Sequence, residues 1–90
     1  MKHLNIGIVG KVQKVGFRET SKYIADQIGV KGFVRNEADG SVYMEIEGDD
    51  ISIEEMLNWC NEGPDRSNVE KVTVEEGAIK NFKNFDIVKR

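Results

Sequence analysis

Cysteine is nearly missing from this 90-residue chain: Cys60 stands alone. A lone thiol cannot close an intrachain disulfide, so the fold must hold by packing, and a reducing cytoplasm is the expected setting. Long apolar runs are missing as well. None approaches the ~18 residues of a membrane helix, and Met1-Lys2-His3-Leu4-Asn5-Ile6 reads as the start of a strand rather than a signal-peptide core. An excess of basic charge is also lacking. With 13 Lys and Arg against 16 Asp and Glu, the formal net charge is −3, which argues against general affinity for nucleic acid or acidic membranes. No Cys–His pair stands at a spacing that suggests a nucleophile. Glu45, Glu47, Asp49 and Asp50 lack the pattern of an EF-hand and read as a solvated strand edge followed by a helix cap. Gly10-Lys11 lacks the G-x-x-x-x-G-K-[ST] spacing of a nucleotide P-loop.

What is present is a balanced composition, 39% hydrophobic and 32% charged, as expected of a soluble globular chain. It stays even along the sequence, with no linker, low-complexity segment or internal repeat, so residues 1–90 are expected to form a single domain. Leu4, Ile6 and Ile8 alternate with His3, Asn5 and Gly7, the period of a strand with one buried face, over about residues 3–9. His3 falls on the other face and reads as a surface residue. Phe17, Ile24 and Ile28 form one stripe of a helix over about 19–28, with Gly29 as its stop.

Gly32-Phe33-Val34-Arg35-Asn36 reads as a second strand, and Asp39-Gly40 as a turn. Val42, Met44 and Ile46 then alternate with Tyr43, Glu45 and Glu47, so the hairpin is expected to keep one wet face. Asp49 or Asp50 can cap a second amphipathic helix bearing Ile53, Met56, Leu57 and Cys60, which Gly63-Pro64 ends. Cys60 is read as core. Val72 and Val74 mark a fourth strand, and Phe85 and Ile87 a short fifth piece. Two helices that each bury one stripe must share one face of a sheet. The expectation is an α+β, ferredoxin-like βαββαβ sandwich: an antiparallel sheet, two helices on one face and a short extra C-terminal strand.

Between the first strand and the first helix lies Gly10-Lys11-Val12-Gln13-Lys14-Val15-Gly16-Phe17-Arg18. A glycine-punctuated turn that opens a helix presents backbone N–H groups with no internal partner, at the positive end of the helix dipole. Such a turn is a natural anion cradle. Arg18 adds a planar cationic fork suited to phosphate oxygens. Gln13 is read as a structural residue that bonds within the loop.

These residues carry a further pattern. Over nearly its whole length the chain resembles the acylphosphatase family. The family motif apolar-x-G-x-V-Q-G-V-x-F-R stands here as Ile8-Val9-Gly10-Lys11-Val12-Gln13-Lys14-Val15-Gly16-Phe17-Arg18, with Lys14 where the family usually has glycine. The second motif stands as Gly32-Phe33-Val34-Arg35-Asn36, Gly40-Ser41-Val42 and Gly48 without departure. The resemblance implies hydrolysis of a small acyl phosphate to a carboxylate and inorganic phosphate, with no metal or organic cofactor. It implies that Arg18 holds the phosphoryl group together with backbone amides of Lys14, Val15, Gly16, Phe17 and Arg18. It also implies that Asn36 positions the attacking water. The expected partner is the small substrate alone, with no nucleic acid or membrane, and the expected state is a monomer.

Two alternatives stay open on the residues. One is a catalytically weak phosphate-binding or regulatory domain of the same fold. The other is an RNA-binding module, which shares the βαββαβ order and is faintly echoed in Lys31-Gly32-Phe33-Val34 but needs exposed aromatics on the sheet. Lys14 also leaves two readings. If the position needs a positive φ, lysine costs about 1 kcal/mol or more there. If the backbone is tolerant, the ammonium adds attraction for phosphate.

Overall fold

Alternating side chains and two apolar helical stripes assemble here around one shared face of a sheet. The structure is a computed structural model and describes residues 1–89. Its elements are β1 (Lys2–Lys11), α1 (Phe17–Ile28), β2 (Lys31–Asn36), β3 (Val42–Gly48), α2 (Asp50–Glu62), β4 (Asn68–Gly77) and β5 (Phe85–Val88). The sheet order is β4-β1-β3-β2-β5. The four long strands pair antiparallel, as expected. The short extra strand is present as well: β5 lies parallel to β2, which makes the five-stranded sheet mixed. The reason is topological. The chain leaves β4 at one edge, crosses the whole sheet and re-enters at the opposite edge, so it runs in the direction of β2.

One face of the sheet and both helices enclose the core. Ile6, Ile8, Val34, Val42, Met44 and Ile46 are fully buried, together with Phe17 and Ala25 of α1 and Ile53, Met56 and Cys60 of α2. The Phe17 and Trp59 rings meet with centroids 5.2 Å apart, which ties the start of α1 to the end of α2. Gly29 closes α1 in the left-handed region, its N–H bonding the Ala25 carbonyl at 2.8 Å. Asp49 caps α2 by accepting from the Ser52 N–H at 2.8 Å. No helix among the described residues is long and apolar enough to cross a membrane.

The opposite face corrects two expectations. His3 is not a surface residue and Glu45 and Glu47 are not a solvated edge: their exposures are 1%, 6% and 2%. The segment between β4 and β5 lies over them. Glu47 accepts from the Lys80 N–H at 2.5 Å and the Phe82 N–H at 3.0 Å, and its Oε2 lies 2.7 Å from His3 Nδ1. Glu45 accepts from Lys80 Nζ at 2.9 Å and the Tyr43 hydroxyl at 2.7 Å. The Phe82 ring stacks on His3 and meets Phe33 edge-on, each at 5.8 Å. Burial by itself pushes the Glu47 carboxyl up. The amides of Lys80 and Phe82 and the His3 ring outweigh it and hold the group below the ordinary carboxylate range. The strand pattern alone marks this face as polar; what covers it comes from more than 30 residues further along.

Candidate active site

The cradle begins where β1 loosens. The β1–β4 register shifts between Val9 and Gly10, and Gly10 adopts φ 140°. A Cβ there would run into the Asn68 carbonyl oxygen, so only glycine lets β4 follow β1 through this bulge. The chain then turns through two left-handed residues, Lys14 at φ 62° and Gly16 at φ 78°, with Val15 buried between them. Lys14 thus takes the conformation that glycine adopts without steric cost.

Gly16 stands at the helix entrance and offers no side chain to cap it. The helix therefore starts at Phe17, two residues before the expected start, and Arg18 lies inside its first turn. The first closing bond runs from the Thr20 N–H to the Gly16 carbonyl at 3.0 Å. The amides of Phe17, Arg18 and Glu19 consequently have no acceptor within the helix. They stand at the positive end of the α1 dipole, where an anion is favoured. Arg18 is half-buried, and its guanidinium makes no hydrogen bond or ion pair with another described residue.

Asn36 closes β2 at the same end of the sheet. It pairs with Val42, which in turn pairs with Ile8 of β1. Strand alternation puts Asn36 on the face of Val34, the face that α1 covers. Its neighbour Arg35 lies on the other face. There its guanidinium sits 4.8 Å from the Tyr43 ring centroid and pairs with Glu37 at 3.3 Å. Among the described residues, Arg35 is thus engaged by Tyr43 and Glu37, whereas the Arg18 guanidinium has no such partner.

Gln13 joins the two halves. Its side-chain amide donates to the Glu37 carbonyl at 2.8 Å and to the Ser41 carbonyl at 2.9 Å. It has the structural role expected of it, but the partners differ: it bonds the β2–β3 turn, not its own loop. The cradle is thereby fastened to the turn that begins one residue after Asn36. That turn is itself closed by the Glu37 N–H on the Ser41 carbonyl at 2.9 Å. Asp39 accepts from the Ser41 hydroxyl at 2.6 Å and the Ser41 N–H at 2.9 Å, which hold its carboxyl below the ordinary value. Nothing in local patterning signals the Gln13 bridge, because its partners are carbonyls 24 and 28 residues away.

Other reactive groups lie apart from this rim. Cys60 is fully buried in the core, its Sγ 3.7 Å from Met44 Sδ. Burial pushes its thiol up to about 12, which removes it as a nucleophile. A cleft of about 310 Å³ lies on the sheet around Asn5, Gly7, Tyr43 and Thr73, and no cradle residue lines it. Among the described residues, no group of three or more His, Cys, Asp or Glu is arranged to hold a metal ion.

The family model described as acylphosphatase matches residues 4–87. The chain is similar to an acylphosphatase of Thermotoga petrophila, 41% identical over 87 residues that cover 97% of each chain. It is 37% identical over 84 residues to an acylphosphatase of a Nocardioides species, covering 93% of this chain and 85% of the relative. The crystal structure of an acylphosphatase from Bacillus subtilis superposes with a TM-score of 0.95 at 30% identity, covering 98% of this chain and 99% of the other.

Proposed function

Because this chain belongs to the acylphosphatase family, we propose that it hydrolyses the carboxyl–phosphate bond of acyl phosphates at the rim where α1 begins and β2 ends. The observation that carries this reading is the Gln13 bridge, which holds the anion cradle against the turn that follows Asn36. In this reading the backbone amides from Lys14 to Arg18 and the Arg18 guanidinium hold the phosphoryl oxygens. Asn36 holds the attacking water through its side-chain amide, which offers both a donor and an acceptor.

The reaction asks little beyond positioning and charge stabilisation. The water oxygen forms a bond to phosphorus as the bond to the acyl oxygen breaks. The electron pair leaves with the carboxylate. A carboxylate whose acid has a pKa of roughly 4–5 departs without a proton donor, so the lack of a histidine at the rim is no obstacle. Neutral asparagine is a poor base, and the water's proton passes to a phosphoryl oxygen. The products are a carboxylate and inorganic phosphate. All the groups invoked come from one chain, which suits a monomer acting on a small substrate.

The RNA-binding alternative loses its support on the sheet face. Phe33 is packed by Phe82, and the segment that carries Phe82 lies across the surface such a module would use for stacking. The direct test is hydrolysis of benzoyl phosphate with EDTA present. Turnover that survives the chelator and falls by about 10³-fold or more in Arg18→Ala fits the proposal. Turnover unchanged in Arg18→Ala would overturn the assigned site. Binding of inorganic phosphate without turnover would favour the weak phosphate-binding domain instead.

A further inference from the structure

Lys14 holds a left-handed backbone conformation at φ 62°, and it is fixed there from both sides. Gln13 is tied by two hydrogen bonds to the β2–β3 turn, and Val15 is buried in the core at 8% exposure. Residue 14 thus lies between two anchored neighbours. The side chain itself is exposed, and among the described residues its ammonium makes no hydrogen bond or ion pair. In the turn to which Gln13 is tied, Glu37 pairs with Arg35 at 3.3 Å and Asp39 accepts from the Ser41 hydroxyl at 2.6 Å. A long cationic side chain leaves this rigid base within the cradle, and among the described residues it forms no ion pair. Its backbone carries strain that glycine would avoid.

We infer that the Lys14 side chain is a second cation of the phosphate site, which strengthens the hold on dianionic inorganic phosphate and makes the enzyme sensitive to its own product. The inference rests on the proposed phosphoryl cradle at Lys14–Arg18 and adds a side-chain role to it. The ammonium is a solvated point charge on a flexible stem, not a bidentate fork. Its attraction is long-range, of the size of a partly screened pair at a protein surface, roughly 3- to 10-fold in affinity. Substrate and product present the same phosphoryl oxygens. Lys14 consequently binds both about equally and lowers KM and the phosphate inhibition constant together, with kcat little changed.

The experiment is a titration of the full chain with inorganic phosphate, followed by NMR amide shifts at low and high ionic strength. It is paired with phosphate inhibition of benzoyl phosphate hydrolysis. Lys14→Gly and Lys14→Asn both remove the charge, and both residues accept a positive φ, so both variants should fold with stability equal to or above the parent's. Each is expected to weaken phosphate binding about 3- to 10-fold at low salt, with the gap closing at high salt. Lys14→Arg is expected to keep the parent affinity. Unchanged phosphate affinity in Lys14→Gly and Lys14→Asn overturns the inference, as does an equal loss in Lys14→Arg, which would make shape rather than charge the cause. If Arg18→Ala abolishes phosphate binding while the Lys14 variants bind normally, only this inference fails. A parent chain that binds no phosphate overturns both this inference and the cradle beneath it.

Discussion

The side-chain amide of Gln13 donates to the main-chain carbonyl of Glu37 at 2.8 Å, so the loop that opens α1 is bonded directly to the turn that follows Asn36. Together with its bond to the Ser41 carbonyl, this contact makes the spacing between the loop and the proposed water site at Asn36 a property of the fold. Catalysis by positioning loses rate steeply when reacting groups drift by about an ångström. Replacing Gln13 by alanine is expected to cost about 1–2 kcal/mol of stability and to lower kcat/KM by roughly 10-fold or more. Urea unfolding and steady-state kinetics on the same preparation check this. A variant that loses stability but keeps kcat/KM would show that the bridge is structural only.

Asn36 and Arg18 are expected to fail differently. In the proposed mechanism Asn36 acts on the water, so Asn36→Ala should lower kcat by about 10²-fold or more while KM and phosphate affinity change little. The same proposal has Arg18 hold the phosphoryl group in the ground state as well, so its removal should weaken phosphate binding too. Full turnover in Asn36→Ala would remove the water-positioning role.

Two glycines of the loop carry different burdens. Gly16 needs its φ of 78°, but a Cβ there would have space, with Thr20 Oγ1 3.9 Å away. Gly10 needs its conformation and also the absence of a side chain, because the Asn68 carbonyl occupies the position of a Cβ. Gly16→Ala is expected to cost about 1–2 kcal/mol, and Gly10→Ala about 3 kcal/mol or more, since the β1–β4 pairing must shift. Thermal unfolding of the two variants side by side checks the order; equal losses would contradict it.

Acid should release the segment between β4 and β5. The Glu47 carboxyl, 2% exposed, is held below its ordinary value near 4.5 despite burial, by the Lys80 amide, His3 and the Phe82 amide. Glu45 is lowered in the same sense: burial opposes it, and Lys80 and Tyr43 overcome that burial. A carboxyl with a depressed folded value stabilises the fold above its unfolded value. That stabilisation is lost as pH falls through the folded value. Stability should therefore hold above about pH 5 and decline below about pH 4.5. Glu47→Gln should cost about 2–3 kcal/mol near neutrality and flatten the acid decline. Hydrogen exchange should report lost protection at Lys80 and Phe82. A Glu47→Gln variant with the parent's acid slope would count against this account.

Much of the fold is legible along the chain because its signals are local. Leu4, Ile6 and Ile8 declare a strand with one buried face, Asp39-Gly40 a turn and Asp49 or Asp50 a helix cap; the strand and turn are observed, and the cap is Asp49. The helix start is less legible: Gly16 in the left-handed region admits Phe17 and Arg18 to α1, and no side-chain cap marks the boundary. Glu45, Glu47 and His3 are misread for a different reason. Alternation reports that two faces differ, but not that a later segment returns to bury the polar one. In the candidate site, the roles proposed for Arg18, Asn36 and the loop amides come from the family motifs. That the loop and Asn36 lie at one end of the sheet is not legible locally, because it depends on pairing Asn36 with Val42 and Val42 with Ile8.

What the sequence by itself determined is the set of elements, the family and the residue types available for phosphate chemistry, since these follow from periodicity, motif order and side-chain character. Only the tertiary structure decided the parallel entry of β5, the burial of His3, Glu45 and Glu47, the partners of Gln13 and the left-handed backbone of Lys14. Each of these depends on contacts between distant segments, or on a turn that such contacts hold in place, and no local pattern of hydrophobicity encodes them.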